Sequence, residues 1–287
     1  MKADTALSIE RMCELGQVSR AGWYRHPSDL GEPDRDVELR SEVQKIALEW
    51  PAYGSRRITA ELRRRGWLVN RKRVQRLMRE DNLLCLRKRR FAITTDSDHT
   101  LRVYPNLART MTLSGVDQLW RADITYIRLE AEFVYLAVVL DAFSRRVIGW
   151  ALNRTLEDSL TLEALRMALA HRAVTPDLVH HSDRGVQYAS GDYTQMLKDH
   201  HIRISMSRKA NPWDNAACES FMKTLKSEEV YRTEYRDLAQ ARLRIGEFLE
   251  AIYNQKRLHS ALDYCPPAEF ERALQVKKDA ASRRLTG

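Results

Sequence analysis

Three acidic residues of this chain are spaced so that their carboxylates could do chemistry: Asp123 in "LWRADITYI", Asp183 in "VHHSDRGVQY" and Glu219 in "NPWDNAACESFMKTLKSE". Asp123 is out of character with its neighbours. Ile124, Thr125, Tyr126 and Ile127 are β-formers, and aspartate is among the residues that strands exclude most. Alternation puts Ala122, Ile124 and Tyr126 on one face and Asp123, Thr125 and Ile127 on the other. Taken singly, each acid has a plain reading. Asp123 could face water at a strand edge. Asp183 could be a turn residue, since Asp-Arg-Gly is good turn chemistry. Glu219 could be a helix-surface acid paired with Lys223 one turn on.

Taken together they suggest more. Carboxylates brought to one point raise each other's pKa unless cations neutralise them. Hard divalent ions prefer carboxylate oxygens, Mg²⁺ especially when it shares its shell with phosphates. Two such ions roughly 3.5–4 Å apart clamp the attacking and leaving oxygens of an in-line phosphoryl transfer. A metal ligand at the sheet's edge would explain an aspartate in so poor a strand position.

The elements that must position these acids can be read along the chain. "DITYIRL", "EFVYLAVVLDAF" and "RRVIGWAL" are three strand-like runs with short connections, an antiparallel meander. A helix, "LEDSLTLEALRMALAHRA", follows with Leu162, Leu165 and Leu169 inward. Then come a strand "DLVHHSD", a helix from Tyr193 to His200, a strand "IRISMS" and a helix after "NPWD", with Asp214 or Asn215 as its N-cap. That order resembles the ribonuclease-H-like fold. The expected class is therefore α/β, a retroviral-integrase-like core with a mixed five-stranded sheet, preceded by all-α helix-turn-helix elements. In such a sheet the first and fourth strands are neighbours and the helix packs over their ends, so the three acids can converge. His180 and His181 lack partners at zinc spacing and read as packing or supporting groups. A last long helix, Leu238 to Tyr253, carries a stripe of Leu238, Ala241, Ile245, Phe248 and Ile252 that reads as core or dimer contact.

Upstream, "LSIERMCELGQVSRAGWYRH" reads as two short helices, the second capped by Ser19, and "HPSDLGEPDRD" as a linker. A helix with Val37, Val43, Ile46 and Trp50 on its apolar side stops at Pro51. "YGSRRITAELRRRGWLVNRKRVQRLMRED" then gives two helices around Gly66, the second capped by Asn70, which fits a helix-turn-helix. The expected divisions are 1–35 (helix-turn-helix-like element and linker), 36–87 (basic helix-turn-helix), 88–117 (linker), 118–235 (core) and 236–287 (C-terminal helix and basic tail).

Charge supports a nucleic-acid partner. The chain has 287 residues with net charge +9, and 44% hydrophobic content is enough for true cores. From Tyr53 to Arg90 there are fourteen Lys and Arg against Glu61, Glu80 and Asp81, a net +11 that leaves about −2 for the rest. Arg56, Arg57, Arg71, Lys72, Arg73 and Arg76 are therefore candidate phosphate contacts, largely independent of sequence and sensitive to salt. Cys13, Cys85, Cys218 and Cys265 are too scattered for a zinc site or disulfide framework. With no signal peptide and no apolar run near 18 residues, the expectation is a soluble cytoplasmic protein with reduced thiols.

"WRADITYI", "VVLDAFSRRVIGWAL", "HSDRGVQYAS", "SMSRKANPWDNAACESFMKTLKSE" and "YNQKRLHSALDYCPPAEF" occur in the order found in the second-frame (OrfB) transposases of the IS-three group of bacterial insertion sequences, which the chain resembles from about residue 5 to 270. "YGSRRITAEL" resembles the group's helix-turn-helix. Thirty-five residues separate Asp183 from Glu219, the spacing typical of this group and of retroviral integrases. The resemblance places Asp123, Asp183 and Glu219 on the catalytic, metal-binding DDE positions, with Mg²⁺ as cofactor and Mn²⁺ as its substitute. It implies binding of double-stranded DNA, meaning element terminal repeats and target, by at least a dimer, with an upstream-frame protein as a fusion or partner. Arg208, Lys209, Lys223, Lys226, Lys256, Arg257 and His259 would then grip the DNA backbone. The departures are small: Ala210 where Gly is usual, Cys218 at a small apolar position, and no zinc-binding domain of the retroviral kind. Two other readings share these residues: a DNA-binding regulator with an inactive core, and a nuclease of the same fold without strand transfer.

Overall fold

The computed structural model describes residues 8–20, 36–83, 102–208 and 215–285, with side chains to 282. Helix α1 (Ile9–Leu15) starts where the Ser8 hydroxyl accepts the Arg11 N–H. The expected helix after Ser19, the end of the basic unit from residue 84, the 88–101 part of the linker, Lys209, Ala210 and Asp214 lie outside the described residues.

The basic segment folds as three helices, α2 (Val37–Glu49), α3 (Ser55–Arg64) and α4 (Arg71–Glu80). Gly66 turns the chain at φ +89°, a conformation that costs glycine little. Asn70 caps α4 by accepting the Lys72 N–H at 2.8 Å, as its position predicts. The unit's core holds Leu39, Val43, Ile46, Ile58, Leu62, Val74 and Leu77. Val37, expected on the apolar side of α2, is 59% exposed. Leu39 takes the inward place because positions 39, 43 and 46 fall on one helical stripe and 37 does not. Asp36, at the head of α2, caps nothing with its side chain; it accepts instead from Arg73 and Arg76 of α4.

Downstream, β1 (Leu119–Arg128), β2 (Phe133–Asp141), β3 (Val147–Asn153), β4 (Val179–Ser182) and β5 (Arg203–Met206) form one sheet in the order β3-β2-β1-β4-β5. The first three are an antiparallel meander, and β4 and β5 join it in parallel. This is the mixed five-stranded sheet expected. The strand carrying Asp123 is not at an edge, however: β1 is central.

One face packs on α5 (Asp158–His171), through Trp120, Ala122, Val139, Leu160 and Leu165. Two shorter helices, α6 (Val186–Ala189) and α7 (Gly191–Asp199), link β4 to β5. The other face, with Ile127, Val138 and Leu140, packs on Phe221 and Leu225 of α8 (Ala216–Leu225) and on Ile245 of α9 (Leu238–Glu247). Past Glu247 the same helix widens to π geometry over Phe248–Tyr253. The stripe on this helix is thus core, and the covering of the sheet continues beyond residue 235. Residues expected as plain linker also pack: Ala108 is buried against Leu119, Ala142 and Val179, and the Leu107 N–H donates to Ser205 Oγ at 2.9 Å.

Within the tail, Pro267–Leu285 forms a 19-residue helix, α10. Glu271 ties it to the sheet, accepting from Ser144 Oγ and Arg146 at 2.6 Å and Arg172 at 2.5 Å. The helical unit docks on the segment before α10. The Leu258 N–H donates to Tyr53 Oη at 2.8 Å, and Leu258 inserts in the unit's own core. Arg64 and Glu269 form a two-pronged ion pair at 3.0 and 2.7 Å. Among the described residues no helix is long and apolar enough to cross a membrane.

Gly149 of β3 lets α5 lie against the sheet: a Cβ there would stand 2.1 Å from Ala164 O and 2.8 Å from Ala168 N. Both are helix backbone and cannot turn aside. Gly149→Ala should cost about 3 kcal/mol or more by overpacking, read as a lower urea midpoint; an unchanged midpoint would mean that α5 is not seated as described.

Candidate active site

Strand pairing brings the first two acids level. β1 and β4 run parallel with Leu119 opposite Val179, Trp120 opposite His180 and Arg121 opposite His181. Carrying that register two residues on sets Asp123 beside Asp183, on strands about 4.8 Å apart. β4 ends at Ser182. Asp183 then turns the chain, its Oδ1 accepting the Gly185 N–H at 2.9 Å, so the turn reading of "SDRG" and the site reading coexist. Asp123 Oδ1 accepts the Ile124 N–H at 2.9 Å.

The third acid comes from above. Alternation gives Asp123 the face covered by α8, and Glu219 lies in the first turn of that helix. Asn215, expected as a cap, makes no side-chain cap; its amide donates to Ala122 O at 3.3 Å and so ties the start of α8 to β1.

The electrostatics match three acids in proximity. Burial, then the neighbouring Asp183 and Glu219 charges, lift the Asp123 carboxyl to about 8 against the pull of the Ile124 N–H and Lys226. Among the described residues, no three His, Cys, Asp or Glu side chains are yet drawn together as ligands of one ion. Glu219 Oε2 leans toward Lys223, 3.9 Å away. An all-carboxylate donor set under mutual repulsion suits a hard divalent cation. Lys226, half-buried with its ammonium 4.9 Å from the centre of the Tyr126 ring, supplies part of the missing charge, and burial lowers its own pKa.

The two histidines are packing groups. His180 Nε2 meets Tyr193 Oη at 2.9 Å, and His181 lies between the Ser205 and Ser207 hydroxyls at 2.8 and 3.0 Å. Cys218 is fully buried, and burial pushes its thiol up, away from reactivity.

The candidate phosphate contacts divide. Arg56, Arg71, Lys72, Arg208, Lys223 and Lys256 are exposed. Arg73 and Arg76 are exposed too, yet both hold Asp36. Two of the expected contacts need correction as surface groups. Arg257 is 3% exposed with its fork on Glu228, 2.7 Å for each prong, and His259 is 9% exposed. The chain around Leu258 is clamped by the helical unit, which draws both inward. Arg57 faces the same place, donating to Leu258 O at 3.2 Å. Arg121 and Arg145, which the sequence reading did not name, line a cavity with Arg57 and Arg257. Arg121 had a signal, lying two residues before Asp123 and so on the same strand face.

A sheet of this order, with acids on its first strand, just past its fourth and on the covering helix, is that of an integrase-type core, a polynucleotidyl transferase. The integrase core domain family matches residues 114–212 and, through a second such family, 200–267; the HTH-like domain family matches 34–91. The chain is 39% identical over 264 residues to an uncharacterized 31 kDa protein of insertion element IS600 from Shigella sonnei, covering 90% of this chain and 97% of that one. It is 35% identical over 276 residues to transposase InsF of insertion sequence IS3A from Escherichia coli K12, covering 94% and 96%. Among solved structures, the HTLV-2 integrase catalytic core domain in complex with magnesium aligns at 17% identity and TM-score 0.41, over 54% of this chain and 97% of that one. This chain belongs to the family of IS3-type transposases. An integrase-type core implies dependence on a divalent metal.

Asp123 also sets a pH dependence. An unfolded aspartate titrates near 3.9, whereas the folded carboxyl is raised to about 8. Between those values the native state keeps a proton the unfolded chain has lost, so rising pH favours unfolding. In metal-free buffer Asp123→Asn should melt several degrees above wild type at pH 8, with the gap closing toward pH 4. Equal melting at pH 8 would show that burial and the neighbouring acids do not hold a proton on Asp123.

Proposed function

We propose that this transposase binds the ends of its element and carries out DNA strand cleavage and strand transfer at Asp123, Asp183 and Glu219. The observation that carries the reading is the parallel register that sets Asp123 level with Asp183 beneath the first turn of α8. Magnesium, with manganese as substitute, would be held by these carboxylates; when bound, it supplies charge to the attacking and leaving oxygens of a phosphodiester.

The chain's own residues do the rest. Asp123, raised first by burial and then by its neighbours, is a carboxylate that a cation or an incoming proton neutralises readily. Glu219 stands at the start of a ten-residue helix, so a small rotation of its side chain from Lys223 redirects it toward the two aspartates. Lys226 holds positive charge beside Asp123, where a phosphate oxygen would lie. Water attacking at an element end frees a 3′-OH, and that hydroxyl attacks a second phosphodiester, with no covalent enzyme intermediate. The exposed Arg56, Arg71, Lys72, Lys223 and Lys256 would contact phosphates, and Arg208 and Lys209 are the further candidates just before the covering helix in sequence. Joining two ends requires at least two protomers, and an upstream-frame product is the expected fusion or partner.

Asp123→Asn, Asp183→Asn and Glu219→Gln should each lower joined product on the order of a hundredfold or more in a strand-transfer assay with labelled element ends and Mg²⁺, while duplex binding persists. Strand joining by Asp123→Asn at the wild-type rate would defeat the mechanism. Arg71→Ala and Lys72→Ala should each weaken duplex binding severalfold and lower the salt slope by about one, the share of a single phosphate; unchanged slopes would remove α4 from the interface.

A further inference from the structure

A cavity of about 410 Å³ opens beside the carboxylates, between the sheet, α8 and the segment held by the helical unit. Arg57, Arg121, Arg145, Arg257 and His259 line it together with Ser220 of α8, and its described lining contains no acid. Glu228, the carboxylate bound to Arg257, stands outside that lining.

Four guanidinium groups share this half-open space. Arg145 meets no carboxylate among the described residues. It sits at φ +62°, a conformation uncommon outside glycine, in the β2–β3 turn. That turn is held by Asp141, which accepts the Phe143 and Ser144 N–H groups at 3.0 and 2.7 Å. His259 Nε2 is buried and has no hydrogen-bond partner among the described residues. An orphaned ring nitrogen in such a place costs about as much as a lost hydrogen bond. Burial, then Arg257, Arg57 and Arg145, drive its pKa down to about 2. The crowded positive charge and the orphaned ring nitrogen are both relieved by one occupant type, an anion with several acceptor oxygens.

We propose that this cavity seats a backbone phosphate of the DNA strand that runs past Asp123, with room left for the adjoining sugar. Arg121 and Asp123 share a strand face two residues apart, about 6.6 Å. Phosphates recur every 3.4 Å of axis along one strand of a duplex. The seated phosphate is therefore about one or two nucleotides from the reacting bond. The pocket fixes the strand's position, because guanidinium forks bind phosphate with two-pronged geometry. The inference rests on the DNA-acting reading above but concerns binding, not joining.

The test uses the full chain and a labelled duplex of unrelated sequence. Arg145→Asn removes the charge with a residue that tolerates positive φ. Ser220→Asp puts an acid into the pocket from an exposed position. Each should weaken duplex binding about tenfold and take about one from the salt slope, at unchanged circular dichroism, while Ser220→Ala binds as wild type. Arg145→Lys should recover part of the loss. If Arg145→Asn fails to fold, Ser220→Asp decides. Wild-type affinity and slope in a folded Ser220→Asp would overturn the proposal. So would protection against melting by inorganic phosphate, lost in Arg145→Asn, with duplex binding intact, since the occupant would then be a free anion. Failure here leaves strand transfer standing, and loss of joining in Asp123→Asn leaves this pocket untouched.

Discussion

The short parallel pairing of β1 with β4 is the constraint on which the rest depends. Only three residue pairs make it, Leu119 with Val179 through Arg121 with His181. Yet it decides that the residue after β4 arrives beside Asp123 and not a strand's width away. A slip of one residue there would bring Ser182 or Arg184 level with Asp123 instead of Asp183. Much of the fold serves that register. Gly149 lets α5 close on the meander, so the crossover returns β4 to the right place. His181 is bracketed by Ser205 and Ser207, which locks β4 to β5 from the other side.

Bringing acids together costs free energy, and the structure meets that cost only in part. Lys226 over Tyr126 lends charge beside Asp123, while Glu219 rests near Lys223. The remaining repulsion would favour a divalent ion there. The positive charge of the helical unit is likewise smaller than its residue count. Asp36 takes two guanidinium groups of α4, and Glu269 takes that of Arg64. What is left for phosphates is the exposed remainder at the head of α4 and around α3.

Most of this architecture was legible because its signals are local. Alternation marked the meander, Asn70 and Gly66 marked the turn of the helical unit, and an aspartate among β-formers marked the site. What was not legible depended on contacts far apart in sequence. "YNQKRLH" reads as a basic surface run, since nothing in it reports that Tyr53, 205 residues earlier, clamps Leu258. The 102–117 stretch has no period, because it packs as an irregular strap whose order comes from Ser205 and the end of the sheet. The position of Asp123 on a central strand followed from topology, not from its own neighbours.

Leu258 belongs to two bodies at once. It lies in the apolar core of the helical unit while its neighbours Arg257 and His259 line the cavity beside the catalytic sheet. Any rotation of the unit that reads DNA must either carry this leucine along or strip it from its seat. In the first case the wall next to the carboxylates moves; in the second the reading unit loses part of its own interior. The two bodies thus meet at Leu258 and at the Tyr53, Arg57 and Arg64 contacts beside it, and neither can shift without the other registering it.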